Sequence, residues 1–317
     1  MDIGDYRPQR TPLVSPGAID AHVRDMTVTV AADVTLGAVQ AKLAEHQQWL
    51  PIDGDAATAV GRLVEVNSTG PLRLGYGAWR DLLLGVQFYN GLGELITAGG
   101  RTVKNVAGYD LTKFMVGQRG MFGTLVTITA RTWRRPAGAV LATLPPDAAK
   151  LRGMIPTALR PQWAMLTAEA LLLGYLGDER AADYYAASLS AEGVTVQRRT
   201  LDEDIAHRAR LWRAIGDLRF RAAVPPTRIA QFVADAALGA WVADAAFGIV
   251  RGAATSIEHA QRIAASAGRV GGTVAFDAAY DGVAGLPRAV SDPAQQRLLT
   301  ELKKAFDPEG RLRPLVF

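Results

Sequence analysis

The stretch from Gly99 to Trp133 constrains this chain more than any other, because it concentrates glycine around a charged cluster: GGRTVKNVAGYDLTKFMVGQRGMFGTLVTITARTW. Its glycines are Gly99, Gly100, Gly108, Gly117, Gly120 and Gly123. The alternating β-forming residues over 124–132 predict a strand. Glycine at this density indicates backbone that turns sharply or lies against a ligand. A tight loop between core strands and a ligand-binding loop therefore both remain open.

Composition excludes several classes of protein. The 317 residues are enough for two domains and a sizeable core. There is no cysteine, which excludes disulfides, thiol catalysis and iron–sulfur ligation by this chain. The net charge is +4 with scattered basic residues, whereas a nucleic-acid-binding surface needs a contiguous basic stripe. No apolar run approaches the ~20 residues of a membrane span. Since the N-terminus also lacks the apolar core of a signal peptide, we expect a cytoplasmic protein.

The first part of the chain alternates strand and helix patterns. Residues 26–31 have the alternation of a strand. Thr35 is placed to cap a helix that carries Leu36, Val39 and Leu43 on one face. Further strands are predicted over 49–52, 82–90 and 95–98. A hairpin turn at 91–93 joins the last two.

The sequence changes character after Pro136, where alanine and leucine dominate. We predict strands over 140–144, 164–167, 170–173, 194–198, 218–224, 240–251 and 273–276. We predict helices over 146–158, 177–190, 201–215, 225–237 and 257–267, with a last helix starting at Asp292-Pro293. This succession favours an α+β domain whose antiparallel sheet is covered on one face.

Three motifs resemble one family. The run KNVAGYDLTK at 104–113 resembles the flavin-binding motif of vanillyl-alcohol-oxidase-like (PCMH-type) FAD-binding domains. The most similar group is that of the FAD-binding E subunits of bacterial glycolate oxidases. Residues 27–51 and the closing run FDPEGRLRP at 306–314 are similar to two further segments of that group. The resemblance is weakest over 137–290.

The resemblance implies an α+β fold in three parts. The PCMH-type FAD-binding domain covers 1–136, and its first subdomain is expected to be shortened at the N-terminus. A smaller α+β cap domain follows over 137–290. A C-terminal helix and tail over 291–317 are expected to pack back on the FAD-binding domain.

The resemblance implies FAD as the cofactor, bound mainly by backbone amides of glycine-rich loops. The binding residues that it carries over are Gly61, Asn67, Ser68, Gly70, Lys104, Gly108, Gly117, Gly120, Gly123 and Leu125. Asn67 could cap a turn or hydrogen-bond the ligand. Spacing alone favours the turn, whereas the resemblance favours the ligand contact. Lys104 either places positive charge near the reduced flavin or is an exposed loop lysine. Tyr109 and Asp110 are expected to fix the loop rather than touch substrate.

Several positions depart from the family pattern. Only 25 residues precede Met26, and they hold no Arg-Gly-Gly-Gly-Thr loop of the kind that binds the FAD pyrophosphate in the family. Three lost hydrogen bonds to a charged phosphate would cost roughly 4.5–9 kcal/mol. Arg62, Gln118 and Met121 put bulk where small residues are usual, and Arg313 stands where asparagine is usual.

The implied function is that of an oxidoreductase subunit, which oxidises a 2-hydroxy acid such as glycolate by hydride transfer to flavin. The implied partners are a catalytic flavin subunit and an iron–sulfur subunit, in a cytoplasmic hetero-oligomer that such partners could hold at the inner face of the membrane. The alternative is a non-catalytic structural subunit that has lost flavin binding.

The sequence identifies no catalytic group and no metal site. The four histidines His22, His46, His207 and His259 are isolated from one another. Trp212, Arg219 and Arg221 lie where a cap domain could face a flavin. We expect Trp212 to be a core residue and the two arginines to be solvated at a strand edge.

Overall fold

The computed structural model describes residues 12–100, 110–213, 216–276 and 292–315. The chain divides into two compact units. The first unit comprises Met1–Thr69, Gly77–Arg135 and Ser291–Phe317. The second unit comprises Gly70–Tyr76 and Pro136–Val290.

The first unit is built on an antiparallel sheet. Its strands are β1 (Ile19–His22), β2 (Thr27–Ala31), β3 (Gln48–Trp49), β4 (Leu83–Tyr89), β5 (Leu95–Gly99), β6 (Thr124–Arg131) and β7 (Trp133–Arg134). Its helices are α1 (Leu36–Ala44), α2 (Val60–Glu65), α4 (Trp79–Leu82), α5 (Leu111–Phe114) and α11 (Pro293–Phe306). Five strands form the main sheet in the order β1-β2-β6-β4-β5, and β3 pairs with β7 separately.

The predicted start of α1 is confirmed. The hydroxyl of Thr35 accepts a hydrogen bond from the Ala38 amide at 3.2 Å, which is the N-cap interaction that the sequence predicts. Leu36, Val39 and Leu43 are all buried in the core of this unit. The apolar stripe therefore sets which side of α1 faces the sheet.

The main sheet of the first unit has one apolar and one polar face, and both are buried. Val28, Val30 and Ile128 belong to the hydrophobic core. On the other face the hydroxyls of Thr29 and Thr129 lie 2.9 Å apart, within hydrogen-bonding distance. These two buried hydroxyls bond to each other, whereas the buried Oγ1 of Thr27 on the same face has no hydrogen-bond partner among the described residues.

The C-terminal helix α11 belongs to the first unit. The Phe306 ring lies 5.5 Å from Phe114, 6.1 Å from Phe122 and 6.2 Å from Phe88, measured between centroids. Aromatic pairs at these separations add to the hydrophobic burial. This cluster anchors the end of α11 on the sheet.

The second unit carries the larger sheet, although the resemblance implies a smaller cap domain. Its strands are β8 (Gly138–Leu144), β9 (Trp163–Leu166), β10 (Leu171–Gly177), β11 (Thr195–Thr200), β12 (Leu218–Ala223), β13 (Trp241–Asp244), β14 (Ile249–Ala254) and β15 (Thr273–Phe276). Its helices are α3 (Arg73–Tyr76), α6 (Ala148–Met154), α7 (Glu179–Ala191), α8 (Leu201–Trp212), α9 (Ile229–Ala236) and α10 (Ile257–Arg269). The eight strands are antiparallel, in the order β11-β8-β10-β9-β13-β14-β12-β15.

Helices cover both faces of this sheet, so the expectation of a single covered face is incomplete. Leu189 of α7, Phe232 of α9 and Ile263 of α10 lie in one core with the inward side chains of the strands. On the opposite face the indole of Trp163 donates to the buried carboxylate of Asp204 in α8, at 3.0 Å. The polar pattern of α8 gave no sign of this buried contact.

The single strand expected over 240–251 is wrong, because the chain turns back between β13 and β14. The carboxylate of Asp244 accepts the amides of Ala246 and Phe247 at 3.1 and 3.3 Å. Gly248 has a φ of +68°, in the left-handed region that favours glycine. An aspartate followed by a left-handed glycine is a turn signal, and the apolar residues between them obscured it.

Residues 70–76 belong to the second unit, although they lie within the range 1–136 that the resemblance implies for the FAD-binding domain. Leu74 lies in the second core, and its carbonyl accepts a hydrogen bond from Arg160 at 2.9 Å. The Gly75 amide donates to the Gln162 carbonyl, also at 2.9 Å. No local sequence signal marks a short segment whose partners lie some ninety positions later.

Candidate functional site

Two of the glycine-bearing segments singled out in the sequence lie side by side in the first unit. The amide of Gly117 donates to the carbonyl of Val64, and that of Arg119 to the carbonyl of Glu65, each at 2.9 Å. These carbonyls lie at the end of α2, where helical partners run out. A Cβ built on Gly117 would lie 3.4 Å from the Cβ of Asn67. Residues 117–123, which we name the glycine loop, therefore meet the segment after α2.

The glycines of the site serve two different purposes. Gly61 and Gly123 allow close packing, since a Cβ on Gly61 would lie 2.7 Å from the carbonyl oxygen of Ala32, and one on Gly123 would lie 2.5 Å from the ring of Phe88. Gly117 and Gly120 allow left-handed backbone, with φ of +86° and +79°. Arg119 is also left-handed, at +54°. The glycine loop is thus a compact turn, and close packing and left-handed backbone are reasons for its glycines that do not involve a ligand.

Several amides of the predicted binding residues already have partners within the chain. The amides of Gly61, Asn67 and Ser68 donate to the carbonyls of Ala32, Val64 and Leu63 at 2.8–3.0 Å. Within the described residues, the amides of Thr69, Gly70, Gly120 and Gly123 have no acceptor. Gly70 and Gly123 are buried, whereas Thr69 and Gly120 are partly exposed, so the latter two are the accessible main-chain donors for a ligand.

The remaining predicted residues fall into different settings. Gly70 is buried in the second unit, and its carbonyl accepts the Arg73 amide at 3.1 Å. The side chain of Leu125 is buried in the core of the first unit. Lys104 and Gly108 lie outside the described residues, as does Tyr109. The roles carried over to all ten positions stay predictions.

Gln118, whose bulk departs from the family pattern, closes the glycine loop and has a structural role. Its side chain is 3% exposed. The amide nitrogen donates to the carbonyl of Gly123 at 2.9 Å, and the oxygen accepts the amide of Phe122 at 3.0 Å. The sequence signal for this role is a glutamine among glycines, placed four residues before Phe122 and five before Gly123.

A cluster of charged residues from the C-terminal segment holds the other side of the loop. We name Lys303, Asp307 and Arg313 the C-terminal clamp. The Lys303 ammonium donates to the carbonyl of Met121 at 2.8 Å, to the carboxylate of Asp307 at 2.6 Å and to the carbonyl of Arg313 at 2.8 Å. The Arg313 amide donates to the carbonyl of Gly120 at 3.3 Å. Residues nearly two hundred positions apart thus fix one loop.

Asp307 is the buried centre of the clamp. Its carboxylate accepts the amides of Arg311 and Leu312 at 2.8 and 2.9 Å, in addition to Lys303. Burial pushes the pKa of Asp307 upward, but these hydrogen bonds outweigh burial and hold the pKa below its ordinary value. A Cβ on Gly91 would lie 2.2 Å from an Asp307 oxygen, so only glycine fits there.

The other departures from the family pattern do not fill the site. Arg62 is exposed and lies 3.6 Å from the carboxylate of Glu65, one turn along α2. Met121 is half-buried. Asp110 caps α5 by accepting the amide of Lys113 at 3.1 Å, in keeping with the expected loop-fixing role.

Trp212 is a core residue as expected, whereas Arg219 and Arg221 are exposed on β12, which lies between β14 and β15 and is not an edge strand. Trp212 is buried, and Arg251 donates to its carbonyl at 2.8 Å. Among the described residues, no group of three or more acidic or histidine side chains is arranged to hold a metal ion. In the same part of the chain, no helix is long and apolar enough to cross a bilayer.

Comparison with known proteins matches part of this chain to one family. Residues 16–99 match the FAD binding domain family. FAD is the cofactor of that family, and the FAD-binding resemblance of the sequence is thereby confirmed. The glycine loop and the clamp lie beyond the matched residues, so their roles depend on the geometry above.

Individual relatives agree with this assignment. Glycolate oxidase subunit GlcE of Escherichia coli is 33% identical over 128 residues, which are 39% of this chain and 36% of that protein. Mitochondrial D-lactate dehydrogenase (cytochrome) of Arabidopsis thaliana is 29% identical over 121 residues, 38% of this chain and 21% of that protein. The chain therefore spans about a fifth to a third of these two relatives.

A solved structure shows the fold over a longer range. Alkyldihydroxyacetonephosphate synthase superposes with a TM-score of 0.65, over 92% of this chain and 64% of that chain, at 13% identity. At such low identity the likeness concerns the fold alone. Together with the two antiparallel sheets it confirms the predicted α+β fold class.

Proposed function

We propose that this chain is the FAD-binding subunit of an oxidoreductase that acts on a 2-hydroxy acid such as glycolate. The observation that carries the proposal is the meeting of the glycine loop with the segment after α2, in a unit whose residues 16–99 match the FAD binding domain. The names of the relatives, a glycolate oxidase subunit and a D-lactate dehydrogenase, support the substrate class.

The residues of this chain would bind and orient the cofactor. The amides of Thr69 and Gly120 supply hydrogen-bond donors toward its anionic or carbonyl oxygens. Asn67 is exposed beside the loop, so its side-chain amide can add a further contact. The remaining predicted residues, among them Lys104 and Gly108, would complete the site. FAD, when bound, supplies the chemistry that accepts a hydride from the substrate.

The partners proposed are a catalytic flavin subunit and an iron–sulfur subunit, in a cytoplasmic hetero-oligomer. The name of the relative GlcE, as one subunit of glycolate oxidase, supports assembly with other chains. Because this chain has no cysteine, an iron–sulfur cluster would have to be held by another subunit.

Flavin binding tests this proposal directly. We expect the purified chain to take up about one FAD per chain, measured by its visible absorption after removal of excess cofactor. In the assembled complex, glycolate or D-lactate added without oxygen should bleach that absorption. A chain that stays colourless at high FAD concentration would contradict the proposal.

The variant Asn67→Gly separates the two roles of this residue. Asn67 has a left-handed φ of +49°, which glycine adopts without strain, so the variant removes the side chain and keeps the turn. If the side chain contacts the cofactor, FAD affinity falls by roughly tenfold, the value of one hydrogen bond. Unchanged affinity would assign Asn67 to the turn alone.

A non-catalytic structural subunit is the second candidate. The engaged amides of Gly61, Asn67, Ser68 and Gly117 favour it, since they leave fewer donors for a ligand. This candidate predicts that the colourless chain still binds its partner subunits with unchanged affinity. Measuring assembly with and without FAD distinguishes the two candidates.

A further inference from the structure

Arg313 is held against the glycine loop by its backbone. Its amide donates to the carbonyl of Gly120, and its carbonyl accepts the ammonium of Lys303 at 2.8 Å. The two preceding amides, of Arg311 and Leu312, are fixed by the buried carboxylate of Asp307. The backbone of Arg313 is therefore fixed before any ligand binds, and this lowers the conformational entropy that binding would cost.

The side chain of Arg313 lies over Gly120. A Cβ built on Gly120 would be 3.3 Å from Cδ of Arg313 and 3.6 Å from its Nε. The absence of a side chain at Gly120 thus makes room for the arginine. Since the Arg313 side chain is exposed, its guanidinium can reach a ligand at the surface of the loop.

No described residue neutralises the charge of Arg313. Across the described residues, no carboxylate lies within ion-pair distance of Arg313 or Arg119. By contrast, the exposed Arg311 pairs with Glu309, and Arg62 lies 3.6 Å from Glu65. Arg119 in the glycine loop and Arg313 in the segment that lies against it are both unpaired among the described residues, and together they create a local positive potential that attracts an anion.

The backbone beneath Arg313 is also suited to an anion. Arg119 and Gly120 are consecutive left-handed residues, at φ of +54° and +79°. The amide of Gly120, a partly exposed residue, has no acceptor among the described residues. Phosphate oxygens accept hydrogen bonds both from backbone amides and from guanidinium groups, and both kinds of donor lie side by side here.

We propose that Arg313, with Arg119 and the amide of Gly120, binds the diphosphate of FAD. This inference depends on the proposed function for its ligand, and it names the group that this side of the loop contacts. Arginine suits the task because its planar donors pair with two phosphate oxygens at once. Arg62, the arginine that the sequence analysis singled out, is already engaged by Glu65.

Three ligands and three variants test the proposal. Binding of FAD, ADP and riboflavin is measured by calorimetry for the wild type, Arg313→Gln, Arg313→Lys and Arg311→Gln. FAD and ADP share the diphosphate, whereas riboflavin lacks it. Arg311→Gln removes the same charge two residues away, from a side chain that Glu309 already neutralises.

We expect Arg313→Gln to weaken FAD and ADP by roughly 10- to 100-fold, the loss of charged hydrogen bonds, and to leave riboflavin unchanged. Arg313→Lys should recover part of the loss, because it restores charge without the planar fork. Arg311→Gln should bind all three ligands like the wild type. Thermal melting of each variant checks that the fold is retained.

Several outcomes overturn the proposal. Equal ADP affinity in Arg313→Gln and wild type would do so whatever flavin binding shows, as would equal losses in Arg313→Gln and Arg311→Gln. A wild type that binds none of the ligands rejects both this inference and the proposed function. A wild type that binds ADP through Arg313 but takes up no flavin rejects the proposed function and supports this inference.

Discussion

The two sides of the glycine loop are held by different forces. On the side of α2, the amides of Gly117 and Arg119 donate to helix carbonyls, so only backbone groups are involved. On the far side, the carbonyls of Gly120 and Met121 accept hydrogen bonds from the C-terminal clamp, whose centre is a buried ion pair. One side depends on the chain's path and the other on specific side chains.

The difference predicts how each side responds to change. Backbone hydrogen bonds survive most side-chain substitutions and do not titrate between acid and neutral pH. A buried ion pair is sensitive both to substitution and to pH, since a partner left alone stays desolvated. Side-chain substitutions and acid should therefore lower stability mainly through the clamp. On the α2 side, stability should fall mainly when a bulkier residue is introduced.

The largest effect is expected for Asp307→Ala. The substitution leaves Lys303 without its carboxylate and the amides of Arg311 and Leu312 without an acceptor, so the free energy of unfolding should fall by about 3–5 kcal/mol. Urea unfolding followed by tryptophan fluorescence measures it. The control Glu301→Ala breaks a pair whose side chains are both 69% exposed and should cost less than about 1 kcal/mol. Equal losses for the two variants would remove the distinction between the sides.

Gln118→Ala tests the link that joins the two sides within the loop. Removing the side-chain amide leaves the buried groups of Phe122 and Gly123 without partners, for an expected loss of about 2–3 kcal/mol. Gln231→Ala, on the exposed face of α9, is the matched control and should be nearly neutral. A neutral Gln118→Ala would mean that water or backbone adjustment closes the loop equally well.

Gly61→Ala tests crowding on the α2 side. The new methyl group would lie 2.7 Å from a backbone oxygen of Ala32, so α2 must shift, at a cost of about 1–3 kcal/mol. Gly153 of α6 is the control, because a Cβ there meets nothing within 4 Å. Gly153→Ala should stabilise by up to about 1 kcal/mol through helix propensity. Stabilisation of both variants would show that α2 has room to move.

The smallest effect is expected from acid. The folded-state pKa of Asp307 is depressed, so its contribution to stability is fully present above the unfolded pKa of about 3.9 and is lost as pH falls through the folded value. Stability measured from pH 6 down to about 2 should therefore fall less steeply for Asp307→Asn than for the wild type. Parallel curves would assign the acid sensitivity to other carboxylates.

Local features of the fold could be predicted from the sequence. Thr35 and the spacing of Leu36, Val39 and Leu43 identified α1, because a cap and an apolar stripe are both encoded within a few residues. The hairpin of β4 and β5 and the antiparallel sheet of the second unit followed from the same kind of local pattern. The KNVAGYDL run pointed to the FAD-binding class, which the match of residues 16–99 confirms.

Features that depend on distant partners could not be predicted. The clamp joins Lys303 to Met121 and seats Asp307 against Gly91, and no local pattern relates such positions. The sequence predicts Gly61 as a ligand-binding glycine, and the close carbonyl of Ala32 is a separate reason for glycine at that position. A glycine in a sequence indicates that a side chain does not fit at that position, but only the structure shows which atoms exclude it.

The three hydrogen bonds of Lys303 have a practical consequence for chemical labelling. Acylating reagents need an uncharged, accessible amine, and Lys303 is 14% exposed with all three ammonium hydrogens engaged. Its neighbour Lys304 is 69% exposed. The ratio of modification at these adjacent lysines, read from one peptide by mass spectrometry, would report how often the tail lifts away from the loop.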